Sequence, residues 1–308
     1  MIRKPCIGLV LSGGGARGLT HIGILRVLER EGIPVDYLSG TSMGGLIAAG
    51  YAAGMSSTDL EQEALIMGER RHLLKLMDPG FPKGGLLRGQ RLLAYFEQLF
   101  GQKTFADLRL PLALVAVDLN TRQEIVLRDG SLPLALRATT AVPLVFMPLE
   151  TNSMRLVDGA VLNNLPVDVV REMGAEVVIA VDIGAKQKTE ASRQIGNHRW
   201  IPEGFSATLQ VFDDTLDTLM SATKEYKLRQ FPPDVLIQPD IPTNVNVFTG
   251  YDRTAELVAA GERAAEEHLL EIKVLLRPHW CLPLSSRTKF VNKNTVRPSF
   301  PRTNDEKN

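Results

Sequence analysis

At 308 residues, with 44% hydrophobic and 23% charged side chains, the chain is long enough to bury one large core or two smaller ones, and its composition excludes a disordered or fibrous protein. Lysine plus arginine equals aspartate plus glutamate at 35 each, so no overall field draws nucleic acid, and no nucleic-acid partner is expected. Cys6 and Cys281 lie near opposite ends, a spacing that makes neither a disulfide framework nor a metal cluster and leaves a reducing, cytoplasmic setting as the expectation. Behind Arg3 and Lys4, the five residues Ile7 to Leu11 are too few for a signal-peptide core. The longest weakly polar run, Gly44 to Met55, falls short of the roughly 18 residues a membrane span needs, so any membrane contact is expected to be peripheral and transient, at the inner membrane. Nothing in the composition fixes an oligomeric state.

In chain order, Ile7 to Leu11 reads as a strand buried on both faces, closed by Ser12 and the run Gly13-Gly14-Gly15-Ala16-Arg17-Gly18. Ile22, Leu25, Val27 and Leu28 then recur at helical spacing until Gly32 and Pro34. Pro34 to Ser39 is a second strand that runs into Gly40-Thr41-Ser42-Met43-Gly44, followed by a helix of small residues ending at Gly54. Thr58 with Glu61 three positions on predicts a capping box opening a third helix that reaches Met77, before the breakers Asp78-Pro79-Gly80. Leu92, Leu93, Phe96, Leu99 and Phe100 form a helical stripe over Gln90 to Phe100, read as core in preference to a lipid-facing cap.

Leu112 to Val117 and Glu124 to Leu127 read as strands, Ala135 to Ala138 as the end of a short helix, and Leu144 to Met147 as an extended segment between Pro143 and Pro148. Arg155 to Val157 is a brief strand ending at Asp158-Gly159, and Pro166 opens a helix to Met173 with Gly174 as its cap. Val177 to Val181, a long helix over Ser206 to Arg229, a strand over Val235 to Gln238 and an amphipathic helix over Thr254 to Leu276 complete the pattern. The alternation predicts an α/β fold with a mainly parallel wound sheet. The last 32 residues hold seven Lys or Arg against Asp305 and Glu306, a net +5 with four prolines, and are expected to be a disordered, solvated basic tail whose charge also suits anionic head groups.

Three constellations carry chemistry. Gly40-Thr41-Ser42-Met43-Gly44 fits a nucleophile elbow, in which a serine sits on a tight strand-to-helix turn whose flanking residues, here Gly40 and Gly44, must lack side chains. Gly13, Gly15 and Gly18 with Asp36 formally match a dinucleotide fingerprint, but the same amides of Gly14, Gly15 and Ala16 at a helix N-terminus also make an anion nest suited to an oxyanion, with Arg17 adding positive charge or pairing with a surface carboxylate. The five histidines, at 21, 72, 198, 268 and 279, sit in helical stretches or the tail and read as structural or exposed, which leaves a carboxylate as the base. Asp129-Gly130 and Asp158-Gly159 both remain open for that role.

Taken together, Gly13 to Gly18, Gly40 to Gly44 and Asp158-Gly159-Ala160, in that order, resemble the patatin-like phospholipase family, specifically its bacterial branch. The resemblance spans Pro5 to Asp182 and implies a three-layer fold with helices on both faces of the sheet. It also implies a Ser-Asp dyad with Ser42 as nucleophile and Asp158 as proton acceptor, an oxyanion hole from Gly13, Gly14, Gly15, Ala16, Arg17 and Gly18, and no metal or other cofactor. Thr139-Thr140-Ala141 departs from the smaller residues often found there. The organisation expected is a catalytic domain over 5–184, a helical and strand extension over 185–276 packing on it, and the tail over 277–308. The expected function is a serine acyl hydrolase of lipid carboxylic esters, of phospholipase A or lysophospholipase type. The alternatives are a lipid acyltransferase using the same dyad and a nucleotide-binding regulatory protein using the glycine-rich loop.

Overall fold

The computed structural model describes residues 2–80, 85–151, 153–184, 203–242, 245, 249–277 and 279–280. A two-residue antiparallel ladder, β1 (Ile2–Arg3) with β10 (His279–Trp280), stands apart from the main sheet. Those two residues of the expected tail are therefore strand-paired; residues 281–308 lie outside the described residues.

Five-residue β2 (Ile7–Leu11) is buried throughout, as an unbroken apolar run requires, and α1 (Thr20–Arg30) follows a 3₁₀ turn at Gly15–Leu19. Next come β3 (Tyr37–Thr41) and α2 (Ser42–Ala52). α3 (Ser57–Gly68) is capped by Ser56 and Asp59, whose side chain and backbone bonds are reciprocal, so the capping box lies two residues before the expected Thr58 and Glu61. The helix does not continue to Met77. Gly68 passes so close to the Tyr251 carbonyl that a Cβ would meet it at 2.4 Å, Glu69 turns extended, and α4 (Arg70–Leu76) starts anew.

Asp78, read as a breaker, is in fact the cap of α5 (Gln90–Phe100): its carboxylate accepts from the amides of Gly89, Gln90 and Arg91 at 2.8, 2.7 and 3.1 Å. Leu92, Phe96 and Phe100 of α5 are buried, as the stripe predicts. The remaining elements are β4 (Leu112–Asp118), β5 (Gln123–Leu127), α6 (Leu132–Thr139), β6 (Leu149–Glu150), β7 (Arg155–Asp158), α7 (Ala160–Asn163), α8 (Val167–Met173), β8 (Val177–Val181), α9 (Glu203–Gln230), β9 (Val235–Ile237) and α10 (Thr254–Leu275). Leu144 to Met147 is not the extended segment expected. The amides of Val145 and Phe146 both donate to the Val142 carbonyl, and Leu144 takes φ +66, a left-handed conformation that costs a residue with a Cβ about 1–2 kcal/mol.

The eight-stranded sheet runs β6-β7-β4-β3-β2-β8-β9, with β5 added on β4; pairs from β4 through β9 along this path are parallel, while β5, β6 and β7 are antiparallel. Alternating residues face opposite layers. Leu9, Leu11, Ile179 and Val181 join a core with α1, α2 and α10, and Val10, Val178 and Ala180 pack on α8. On the first face α1 and α10 cross at two glycines: a Cβ on Gly23 would meet the Val258 carbonyl oxygen, and one on Gly261 the Thr20 carbonyl oxygen, each at 2.0 Å. On the second, Lys227 of α9 pairs with Glu124 and Asp168, and Lys224 with Asp182. Among the described residues no helix is long and apolar enough to cross a membrane.

Candidate active site

Ser42 follows β3 and begins α2 at φ +53, a left-handed conformation that a serine occupies only under constraint. The constraint is close packing. A Cβ on Gly44 would meet the Leu11 carbonyl oxygen at 2.3 Å, and one on Gly40 would meet the backbone of Gly45 at 2.8 Å, so both flanking glycines are forced by β2 and by the turn itself. The Ser42 amide donates to the Thr139 hydroxyl oxygen at 3.0 Å, and that hydroxyl donates to the Val115 carbonyl at 2.5 Å. Thr139→Val keeps the shape but orphans two buried backbone groups, and is expected to lower unfolding free energy by about 1–3 kcal/mol in a denaturant titration; Thr139→Ser is expected to stay close to wild type.

Strand β4 brings the aspartate to the serine. One edge of β4 is taken by β5. The other is shared: β3 pairs with Leu112 to Val115, where Thr41 lies opposite Val115, and β7 takes over at Ala116, which lies opposite Asp158. Because β3 stops at the elbow, β7 enters the vacated lane from the opposite direction and ends beside Ser42. Gly159 makes room for this, since a Cβ there would meet the Val115 carbonyl at 2.3 Å. Asp158 is 2% exposed; burial pushes its carboxyl up to about 7, against the pull of the Ser42 hydroxyl and of the Ala160 amide, which donates at 2.9 Å. Asp129, the other Asp-Gly candidate, is exposed after β5.

The glycine-rich turn packs on the elbow: a Cβ on Gly13 would lie 2.9 Å from that of Ser42. The Gly13 amide is engaged by the Asn164 side-chain oxygen at 3.0 Å, with Asn164 donating back to the Gly13 carbonyl at 3.3 Å, so Gly13 braces the turn and its amide is not left for an oxyanion. Gly15, at φ +59, opens the 3₁₀ turn, whose first amides have no acceptor within it. Arg17 is buried and not on the surface, and a Cβ on Gly18 would strike the Met43 side chain. Asp36 plays no part here: its carboxylate accepts from the Ile7 amide at 2.7 Å, at the end of β2 remote from the glycine turn, which removes the acid that a dinucleotide fingerprint needs. His21 is fully buried, shares a 2.8 Å hydrogen bond with the Ser12 carbonyl, and is held neutral by burial, its pKa lowered to about 4. His72 lies beside Glu69 and His268 beside the Ala264 carbonyl; the side chains of His198 and His279 lie outside the described residues.

A family model of patatin-like phospholipases matches residues 9–171, more than half of the chain. The chain belongs to that family. Human patatin-like phospholipase domain-containing protein 6 is 37% identical over 190 residues, which cover 60% of this chain and 14% of that protein. An uncharacterized NTE family protein of Mycobacterium tuberculosis is 29% identical over 212 residues, covering 68% of this chain and 58% of the relative. The chain thus spans a minor part of its animal relatives. Among solved structures, VipD from Legionella pneumophila superposes with a TM-score of 0.57 at 15% identity, over 87% of this chain and 67% of that one, a likeness of fold.

In this patatin-like fold a narrow apolar pocket lies between α2, α3 and α5, lined by Leu19, Met43, Leu46, Met67, Tyr95 and Leu99 among others. Leu19 ends the glycine turn and Met43 follows Ser42, so the pocket lies next to the site in sequence, though neither Ser42 nor Asp158 lines it. Its polar lining includes Tyr95 and Glu63, the Tyr95 hydroxyl donating to the Glu63 carboxylate at 2.7 Å. Two residues of the site escape sequence reasoning, Asn163, whose carbonyl accepts from the Thr41 hydroxyl at 2.9 Å, and Asn164; Thr139, marked in the sequence only as a departure from smaller residues, holds the Ser42 amide. The one available signal was two adjacent asparagines, buried here, shortly after Asp158-Gly159.

Proposed function

We propose that this chain is a serine acyl hydrolase acting on carboxylic esters of lipids, with Ser42 as nucleophile and Asp158 as its base. The carrying observation is the buried Asp158, its carboxyl raised to about 7, beside a serine held in a strained turn. The Ser42 oxygen attacks the ester carbonyl carbon while its proton passes to Asp158, and the amides of Gly14, Gly15 and Ala16 receive the oxyanion. Collapse breaks the bond to the alcohol, which leaves with the proton from Asp158. Water then attacks the acyl-serine, Asp158 takes its proton and returns it to Ser42, and the fatty acid departs. The apolar cavity next to Met43 suits an acyl chain, which favours phospholipid or lysophospholipid esters over small polar ones.

The test is covalent labelling with a fluorophosphonate, followed by mass spectrometry of the modified peptide. Labelling at Ser42 that disappears in Ser42→Ala supports the assignment. A folded wild-type chain labelled at another serine, or not at all, counts against it.

A further inference from the structure

Four large apolar side chains project into solvent on segments that are hydrogen-bonded to one another. Leu74 and Met77, at the end of α4, are 65% and 48% exposed; Leu86 and Leu144 are 42% and 43% exposed. The Met77 amide donates to the Leu74 carbonyl, Gly80 to Leu86 and Arg88 to Asp78, and the Leu86 amide donates to the Leu144 carbonyl at 2.9 Å, which joins the end of α4, the strand pair around Asp78 and Arg88, and the Leu144 turn into one surface.

Leu144 is the most informative of the four. A glycine would take its φ of +66 without strain and expose no apolar area, so folding alone favours glycine where the chain presents a leucine. The rim is cationic. Arg71, Lys75, Arg88 and Arg91 are exposed around it, and residues 70–91 carry six Lys or Arg against Asp78 alone in a chain of zero net charge. The carboxylate of Asp78 is already taken up by three backbone amides of α5. Arg137, 2% exposed, fastens this surface to the interior: it donates to the carbonyls of Gly89, Arg88 and Met147 at 3.0, 2.9 and 2.7 Å, two residues before Thr139, which holds Ser42.

We propose that this surface docks the protein on an anionic bilayer, with Leu74, Met77, Leu86 and Leu144 entering the interface and Arg71, Lys75, Arg88 and Arg91 meeting lipid phosphates. Apolar side chains rimmed by cations match a negatively charged lipid surface in both terms, area and charge. α4 lies against α3 and α5, the walls of the apolar cavity, so a docked molecule brings that cavity to the lipid. The proposal deepens the lipid-hydrolase reading and rests on it for its purpose, but binding can be read without catalysis.

The experiment is cosedimentation of the full chain with vesicles of phosphatidylcholine, with and without about one third phosphatidylglycerol. Expected is binding to the mixed vesicles that falls by about tenfold or more in Arg71→Glu/Lys75→Glu and in Leu74→Asp/Leu144→Gly, while hydrolysis of a short water-soluble ester stays within about twofold of wild type. Ser42→Ala is expected to bind as wild type does, so a chain that docks but hydrolyses nothing counts against the hydrolase reading alone. A wild-type chain that stays in the supernatant overturns the proposal. So does binding that both double variants keep, which assigns it to another surface such as the basic tail, or a concentration-dependent dimer that these variants abolish, which assigns the surface to a second copy.

Discussion

Ser42→Ala is expected to lower ester hydrolysis by about 10³–10⁶-fold, because in the proposed mechanism nucleophile and base act as one unit and little remains when either is lost. The measurement is turnover of a short soluble ester, which keeps interfacial effects out of the comparison. Ser42→Gly is expected to be equally inactive and yet more stable than Ser42→Ala. At φ +53 alanine keeps the strain, worth about 1–2 kcal/mol, whereas glycine relieves it and gives back about 0.4–1 kcal/mol through the greater freedom of its unfolded chain. The net difference is about 0–1.6 kcal/mol in favour of glycine, centred near 0.8 kcal/mol and visible as a higher denaturation midpoint. The reverse order would mean that the elbow imposes no strain on its serine.

Asp158→Asn is expected to reduce turnover by about 10³–10⁴-fold, since the amide cannot accept the serine proton at neutral pH. Its effect on stability runs the other way. The carboxyl sits near 3.8 in the unfolded chain and near 7 in the buried site, so between those values the folded protein holds a proton that the unfolded chain has released. Wild-type stability therefore falls as pH rises from about 4 to about 7, and the full cost, roughly 4 kcal/mol, is present above that window. The asparagine variant escapes it and can still accept from the Ala160 amide. Denaturant titrations of both proteins should coincide near pH 4 and diverge toward pH 8, with the variant the more stable. For the active protein, kcat/KM should climb through pH 7 as the base deprotonates. Parallel stability curves would show that Asp158 is not a desolvated carboxylate.

Much of the fold was legible because its signals are local. Strands covered on both faces are unbroken apolar runs, which is why Ile7–Leu11 and Val177–Val181 are found at the expected positions, and the elbow carries its steric demand in two flanking glycines. What a local pattern cannot carry is the identity of a neighbour. Nothing in Arg155 to Asp158 says that β7 will occupy the edge of β4 that β3 leaves free, and spacing alone could not separate Asp158 from Asp129. Thr139 reads only as a residue larger than those often found there until the Ser42 amide and the Val115 carbonyl meet at its hydroxyl. The break between α3 and α4 belongs to Tyr251, far along the chain, and the role of Asp78 as a cap depends on a turn that closes across residues 78–89. Asp36 was legible: its distance from Gly18 fits a fingerprint, but it opens its strand where that acid should close it, and the parallel register of β2 and β3 sets it beside Ile7.

The shared edge of β4 has a consequence for how such a chain can change. Thr41, which directly precedes Ser42, and Asp158 are held opposite two consecutive residues of one strand, so the separation of Ser42 from Asp158 is a property of backbone geometry and owes nothing to the long stretch between α2 and β4. That stretch supplies α3 and α5, the outer walls of the apolar cavity. In the proposed mechanism, reaction centre and substrate recognition are therefore carried by different parts of the molecule, and the second can be exchanged, lengthened or reshaped by mutation while the first stays in register. A single-residue insertion within β4 itself would do the opposite, turning one partner to the far side of the sheet and leaving the cavity with no chemistry behind it.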